Sequence, residues 1–273
     1  MPPCYPSSCS PFFAFDEITA NDDSDTETDT PPDDGSIIGT DGNDILSVTG
    51  DDTLYLTDTA TGNGGTGNDW ISAHNNSNAF GGDGDDTLIW NGHGSLPPDG
   101  LASGDAGNDD FLLRNGGRAV GGSGDDLFRL DENLGRSYSD AYEITGGAGH
   151  DTFFIDFTPE TSFRFAPGSD VHMGTITDYD PAEDQLILEI RDTRTAGNIE
   201  VVRIETTPDL ARDFVDVHIE LRVPNGPDNE FITRTVRIKG ITTFDTGDIV
   251  FVENAGSQND VRDSTPISLA ASA

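Results

Sequence analysis

Gly81 to Trp90 reads GGDGDDTLIW. Three carboxylates, Asp83, Asp85 and Asp86, share a tight glycine-rich stretch, and a short apolar run follows. Carboxylates are hard oxygen donors, and they repel in a compact turn unless a cation lies among them. The stretch has relatives: GGTGNDWIS from Gly64, GDAGNDDFL from Gly104, GGSGDDLFR from Gly121 and GGAGHDTFF from Gly146. GTDGNDILS begins at Gly39, and a degraded copy ends in GDDTLY, with Asp52 as its last aspartate. Such self-similarity decides architecture before any single residue does.

Aligned on the last aspartate, the copies fall at Asp52, Asp69, Asp86, Asp109, Asp126 and Asp151, spaced by 17, 17, 23, 17 and 25 residues. Two short strands and two turns fill about that length. Each interval therefore predicts one coil of a solenoid. Two places beyond the aspartates stand Leu54, Ile71, Leu88, Phe111, Phe128 and Phe153; four places beyond stand Leu56, Ala73, Trp90, Leu113, Leu130 and Ile155. Alternate strand residues share a face, so these rows predict two apolar ladders inside the coil. Ala79, Ala102, Ala119 and Ile144, two residues before the glycines, predict a thin core on the return strands.

Stacking the glycine turns at strand spacing, about 4.8 Å, brings the aspartates into one column. Like charges that close repel by roughly 1 kcal/mol per pair in water, and by more when desolvated. A hard divalent cation between successive turns removes that penalty. Calcium suits the donors, since it takes six to eight oxygens from carboxylates and backbone carbonyls. Glycine lets the backbone bend so that carbonyls join them.

The pattern GGxGxDxUx, with U a large apolar residue, resembles the RTX family of hemolysin-type calcium-binding nonapeptide repeats. The copies at Gly64, Gly81, Gly121 and Gly146 match it best. The resemblance implies an all-β fold, a parallel β-roll solenoid with several Ca2+ ions between stacked turns. It implies carboxylate ligands at Asp44, Asp52, Asp69, Asp86, Asp109, Asp126 and Asp151. It implies carbonyl ligands at Gly64, Gly65, Gly67, Gly81, Gly82, Gly84, Gly104, Gly107, Gly121, Gly122, Gly124, Gly146, Gly147 and Gly149. The chain departs from the family in three ways. The edge opposite the glycines carries AHNNSN, NGHGSLPPDG, RNGG and ENLGRSYSDA, with Asp44 as its one candidate ligand, which predicts a one-sided column. Val48 and Thr49 stand near the glycine positions of the Asp52 copy. His150 replaces the usual fifth residue of the last copy.

Further along, GTITDYDPAEDQLIL from Gly174 and TVRIKGITTFDTGDIVFV resemble the segments that follow many RTX rolls. That likeness implies a C-terminal β-rich capping region and export through a type I exporter with an uncleaved C-terminal signal. Asp178, Asp180 and Asp184 are either a further calcium site or a solvated turn before a strand. The organisation expected is a disordered acidic segment at 1–35, the calcium-binding roll at 36–157, the β-strand cap at 158–254 and a flexible tail at 255–273. FVDVHIELRV from Phe214 alternates as a half-buried strand, PNGPDN turns, and ITRTVRI returns as its partner.

Composition narrows the function. The chain has 51 acidic and 14 basic residues and a formal charge of -37. No Lys or Arg precedes Arg114. Nucleic acid and anionic lipid both call for basic patches, so neither is an expected partner. No apolar run approaches the ~18 residues of a membrane helix. The N-terminus lacks the basic and apolar regions of a secretory leader, which fits an extracellular protein exported without one. Cys4 and Cys9 allow one local disulfide. No HExxH, GxSxG or P-loop motif occurs. His74, His93, His150, His172 and His218 are scattered and read as surface residues. Two classes stay open: a secreted structural or interaction protein, and a carbohydrate-active enzyme or the secretion part of a hydrolase whose site leaves no motif. The insertions after Trp90 and Leu130 should project from the edge without glycines, with His93, Arg136, Tyr138 and Tyr142 as a candidate face for a glycan or protein; their alternative is neutral surface loops.

Overall fold

A computed structural model describes residues 17–19, 36–38, 45–57, 59–91, 100–114, 116–131, 142–156, 170–190, 200–225 and 228–253. Asp44, the insertions with His93, Arg136 and Tyr138, and both cysteines lie outside them. The described chain is nearly all strand, with one short 3-10 turn at Thr246–Asp248. Among the described residues no helix is long and apolar enough to cross a membrane.

The strands form two ten-stranded sheets. The first is parallel throughout and runs Glu17–Thr19, Ser36–Ile38, Thr53–Leu56, Trp70–His74, Thr87–Asn91, Asp110–Arg114, Leu127–Asp131, Thr152–Asp156, Gln185–Ile190, Ile249–Glu253. The second runs parallel through Ile45–Ser47, Thr61–Thr66, Asn78–Asp83, Leu101–Ala106, Gly117–Ser123, Tyr142–Ala148, Asp170–Ile176 and Asp228–Lys239. It then turns antiparallel through Phe214–Asn225 and Glu200–Asp209. From Ile45 to Asp156 successive strands alternate between the sheets, and a glycine turn leads from the second sheet to the first.

The register stacks like on like. Leu54 pairs with Ile71, Ile71 with Leu88, Leu88 with Phe111, Phe111 with Phe128 and Phe128 with Phe153. Both expected ladders are buried, and both belong to the one core that lies between the sheets. Ala79, Ala102, Ala119 and Ile144 face them from the second sheet. Gly62 takes the alanine row's place opposite Ala79, where a Cβ would come within 2.8 Å of Leu56. The row of small residues thus makes room for the large one.

Aromatic rings continue the core into the C-terminal region. Phe111 stacks on Phe128 at 4.6 Å and Phe128 on Phe153 at 5.4 Å; Tyr179 and Phe244 extend the row in tilted contacts. Each fully buried ring of this size is worth about 1.5–3 kcal/mol. Strands after residue 158 therefore extend the same two sheets. The alternating run at Phe214 and its partner form the expected hairpin, with Val215, Val217, Ile219 and Leu221 buried.

Two expectations change. Glu17–Thr19, inside the segment expected to be disordered, forms a strand beside Ser36–Ile38. Tyr142, expected on a projecting loop, is buried in a strand, and its hydroxyl donates to Leu113 O at 3.4 Å. The reason is alternation: Tyr142 stands two residues before Ile144 and shares its core-facing side.

Candidate metal centre

At the glycine edge each turn delivers one aspartate inward. Asp52, Asp69, Asp86, Asp109, Asp126 and Asp151 are all buried, at 1–3% exposure, in a molecule dominated by acidic surface. The column is held by one repeated bond. The backbone N–H of Asp52 donates to Oδ1 of Asp69, that of Asp69 to Asp86, Asp86 to Asp109, Asp109 to Asp126 and Asp126 to Asp151, at 2.8–3.0 Å. Each carboxylate from Asp69 to Asp151 therefore reaches back to the preceding repeat with one oxygen.

The other oxygen is the informative one. Oδ2 of Asp69, Asp86, Asp109 and Asp126 is buried and has no hydrogen-bond partner. A buried carboxylate oxygen left in this way is costly. Each Oδ2 points at the first glycine of its own turn: a Cβ on Gly64 would lie 2.0 Å from Asp69 Oδ2, and on Gly81 2.0 Å from Asp86 Oδ2. The same points lie 2.7 Å from Gly81 O and 2.9 Å from Gly104 O, carbonyls of the following repeat. Gly121, Asp126 Oδ2 and Gly146 O repeat the arrangement. The first glycine is thus required for space, whereas the second and fourth are required for backbone: Gly82 and Gly84 have φ of +113° and +143°. A carboxylate oxygen and a carbonyl oxygen of the following repeat thus both lie beside Gly64, Gly81 and Gly121, and the donors are hard. Such a set fits an oxygen-loving divalent cation. Among the described residues no three His, Cys, Asp or Glu side chains gather, so backbone carbonyls would have to supply most of the donors.

Burial raises the carboxyl pKa along the column, to about 7 at Asp86 and Asp126 and about 6 at Asp109 and Asp151. The N–H bond to Oδ1 opposes the rise, and neighbouring carboxylates such as Asp109 beside Asp86 add to it. A carboxyl raised in the folded state favours folding below its ordinary value near 3.9 and loses that advantage as pH climbs through the folded value. In chelator, thermal stability is expected to be highest below pH ~4 and to fall as pH rises through about 6 to 7. Asp86→Asn should flatten part of that slope. Stability that climbs with pH over this interval in chelator would contradict the column's electrostatics.

The fifth residues of the turns form a second ladder, exposed and of opposite direction. Asp51 Oδ1 accepts from Asn68 N, Asn68 Oδ1 from Asp85 N, Asp85 Oδ1 from Asn108 N, Asn108 Oδ1 from Asp125 N and Asp125 Oδ1 from His150 N. Asp and Asn alternate, which keeps outer carboxylates from standing next to each other. The signal was the repeated choice of Asp or Asn at that position.

The segment after Asp170 seals the column. Asp184 Oδ1 accepts from Asp151 N at 3.0 Å, so it continues the inner ladder past Asp151. Asp178 accepts from Gly146 N and Gly147 N, both at 2.9 Å, and Asp180 accepts from Ala182 N. Tyr179, whose ring extends the aromatic row, donates to Asp184 O at 3.2 Å. One short turn therefore closes the carboxylate ladder, the glycine amides and the aromatic core together.

Of the residues expected as ligands, all the aspartates but Asp44, which lies outside the described residues, share the one column. Asp52 joins it at its first described rung although Val48 replaces a glycine, and Val48 O lies where a Gly65 Cβ would go. The expected glycines line the same edge, each against its own aspartate or the repeat before it. No family model, no curated protein and no solved structure matches the chain.

Proposed function

We propose that this chain is a calcium-binding protein of RTX type, a parallel β-roll in which several Ca2+ ions lie between successive glycine turns. The observation that carries the reading is the row of buried, unpartnered Oδ2 atoms on Asp69, Asp86, Asp109 and Asp126. Calcium fits these donors better than its competitors do. Zinc favours nitrogen and sulfur ligands. Magnesium demands near-octahedral geometry and keeps its waters. A formal charge of -37 adds a long-range attraction for cations. In this reading Oδ1 positions each turn against its neighbour, and Oδ2 and the glycine carbonyls hold the ion. Weak affinity suited to extracellular calcium would leave the roll open in a calcium-poor cytoplasm and competent for a type I exporter, and closed outside the cell. The role is that of a structural or interaction protein.

Calorimetric calcium titration of Asp86→Asn and Asp86→Ala tests the reading. Asn keeps an Oδ1 acceptor for Asp69 N but carries no charge. Both variants should bind calcium about tenfold more weakly at more than one step, because Asp86 stands between two neighbouring turns. In chelator near pH ~5, where protonation of the column favours the ion-free fold, Ala should also lower stability relative to Asn. Loss of one independent ion, with all other steps unchanged, would count against stacked, shared sites.

A further inference from the structure

Two turns break the glycine rule, with Val48 and with Asp105, and only Asp105 brings a charge. Asp105 stands where Gly82 and Gly122 stand in the adjacent repeats and pairs with both in the sheet register. Its φ is +72°, a left-handed conformation that disfavours any residue with a Cβ, though Asp tolerates it better than most. Asn75 and Asp213, the other described non-glycine residues with positive φ, lie in turns; Asp105 lies within the strand Leu101–Ala106. Strain of this kind persists where something else depends on the residue.

The surroundings indicate what depends on it. The side chain is exposed, and its Oδ1 accepts from Ser103 Oγ at 2.7 Å, which ties the carboxylate to the strand that carries Gly104. Asp86 Oδ2, buried and unpartnered, converges on Gly81 with the carbonyl oxygen of Gly104, the residue immediately before Asp105. Asp105 also contributes to the raised carboxyl pKa of both Asp86 and Asp109. At the equivalent place the turns of Asp69, Asp86, Asp126 and Asp151 have glycine and that of Asp52 has Val48, all of them neutral. We propose that Asp105 supplies a second negative charge to the gap between turns 81–86 and 104–109, and so makes it the tightest calcium position of the column. This rests on the calcium reading above and adds a ranking among its sites.

Asp105→Gly restores the repeat consensus, and Asp105→Asn removes the charge while keeping a side chain suited to the left-handed backbone. Calorimetry with calcium alone should show the tightest step weakened about tenfold in both variants, with the number of bound ions unchanged. In chelator near pH ~5, where protonation of the column favours the ion-free fold, Asp105→Gly should unfold at a higher temperature than the unaltered chain, because strain and repulsion are both relieved. A tightest step that is the same in the unaltered chain and in Asp105→Asn would overturn the proposal. An unaltered chain that binds no calcium would overturn the calcium reading and this inference with it; calcium binding with unchanged variants would sink only the inference.

Discussion

In excess chelator at neutral pH, the chain is expected to lose most of its β-sheet circular dichroism and to regain it as free calcium reaches the millimolar range. The column is the reason. Desolvated carboxylates stand one above another, and each has one oxygen without a protein partner at Asp69, Asp86, Asp109 and Asp126. Each ion bound at ~100-fold excess over its Kd adds about 2.7 kcal/mol to the folded state. Four such gaps add about 11 kcal/mol, comparable with the whole stability of an ordinary domain, ~5–15 kcal/mol. Apolar residues are only 33% of the sequence, so the core has little in reserve. Magnesium at the same concentration should restore much less of the signal. A chain that keeps its full sheet signal in chelator would show that the core and the Oδ1 ladder suffice without ions.

Gly84→Ala is expected to be the most damaging small substitution in the repeat region, costing at least about 3 kcal/mol in saturating calcium. Two effects combine there. The φ of +143° is closed to a residue with a Cβ, and that Cβ would lie 1.8 Å from Gly67 O in the preceding repeat. The obstacle is backbone, so no side-chain rotation relieves it, and the two repeats must separate. Gly240 provides the comparison. It also has a left-handed φ, +77°, but a Cβ there would meet nothing nearer than Thr177 O at 4.0 Å. Gly240→Ala should cost only about 1–2 kcal/mol, the conformational part alone. Thermal unfolding of the two variants measures the difference. Equal, small losses would mean that the repeats are not packed as closely as the structure has them.

Much of this arrangement was legible in the residues. Strand periodicity places positions two and four beyond each aspartate on one face, and Leu54 through Phe153 and Leu56 through Ile155 are buried in those rows. The aspartate spacing likewise brings Asp52 to Asp151 to one edge. Other features are legible only in part. Tyr142 shares the face of Ile144, but the insertion before it reads as a loop. The outer ladder from Asp51 to His150 was visible as a preference for Asp or Asn, but a hydrogen bond to the next repeat's N–H has no signature in spacing alone. Asp184 was harder still. It lies 33 residues beyond Asp151, so it breaks the period and becomes the next rung only because the strands Asp170–Ile176 and Gln185–Ile190 bring it there. The left-handed backbone of Asp105 appears only in the fold.

The most direct measurement is the calcium anomalous signal in diffraction from crystals of the full chain grown in calcium. The account predicts a row of anomalous peaks along the glycine edge, one in each gap next to Asp69, Asp86, Asp109 and Asp126, each about 2.3–2.6 Å from an Oδ2 atom and from carbonyl oxygens of neighbouring turns. Well-ordered density for these aspartates with no anomalous peak beside them would contradict it.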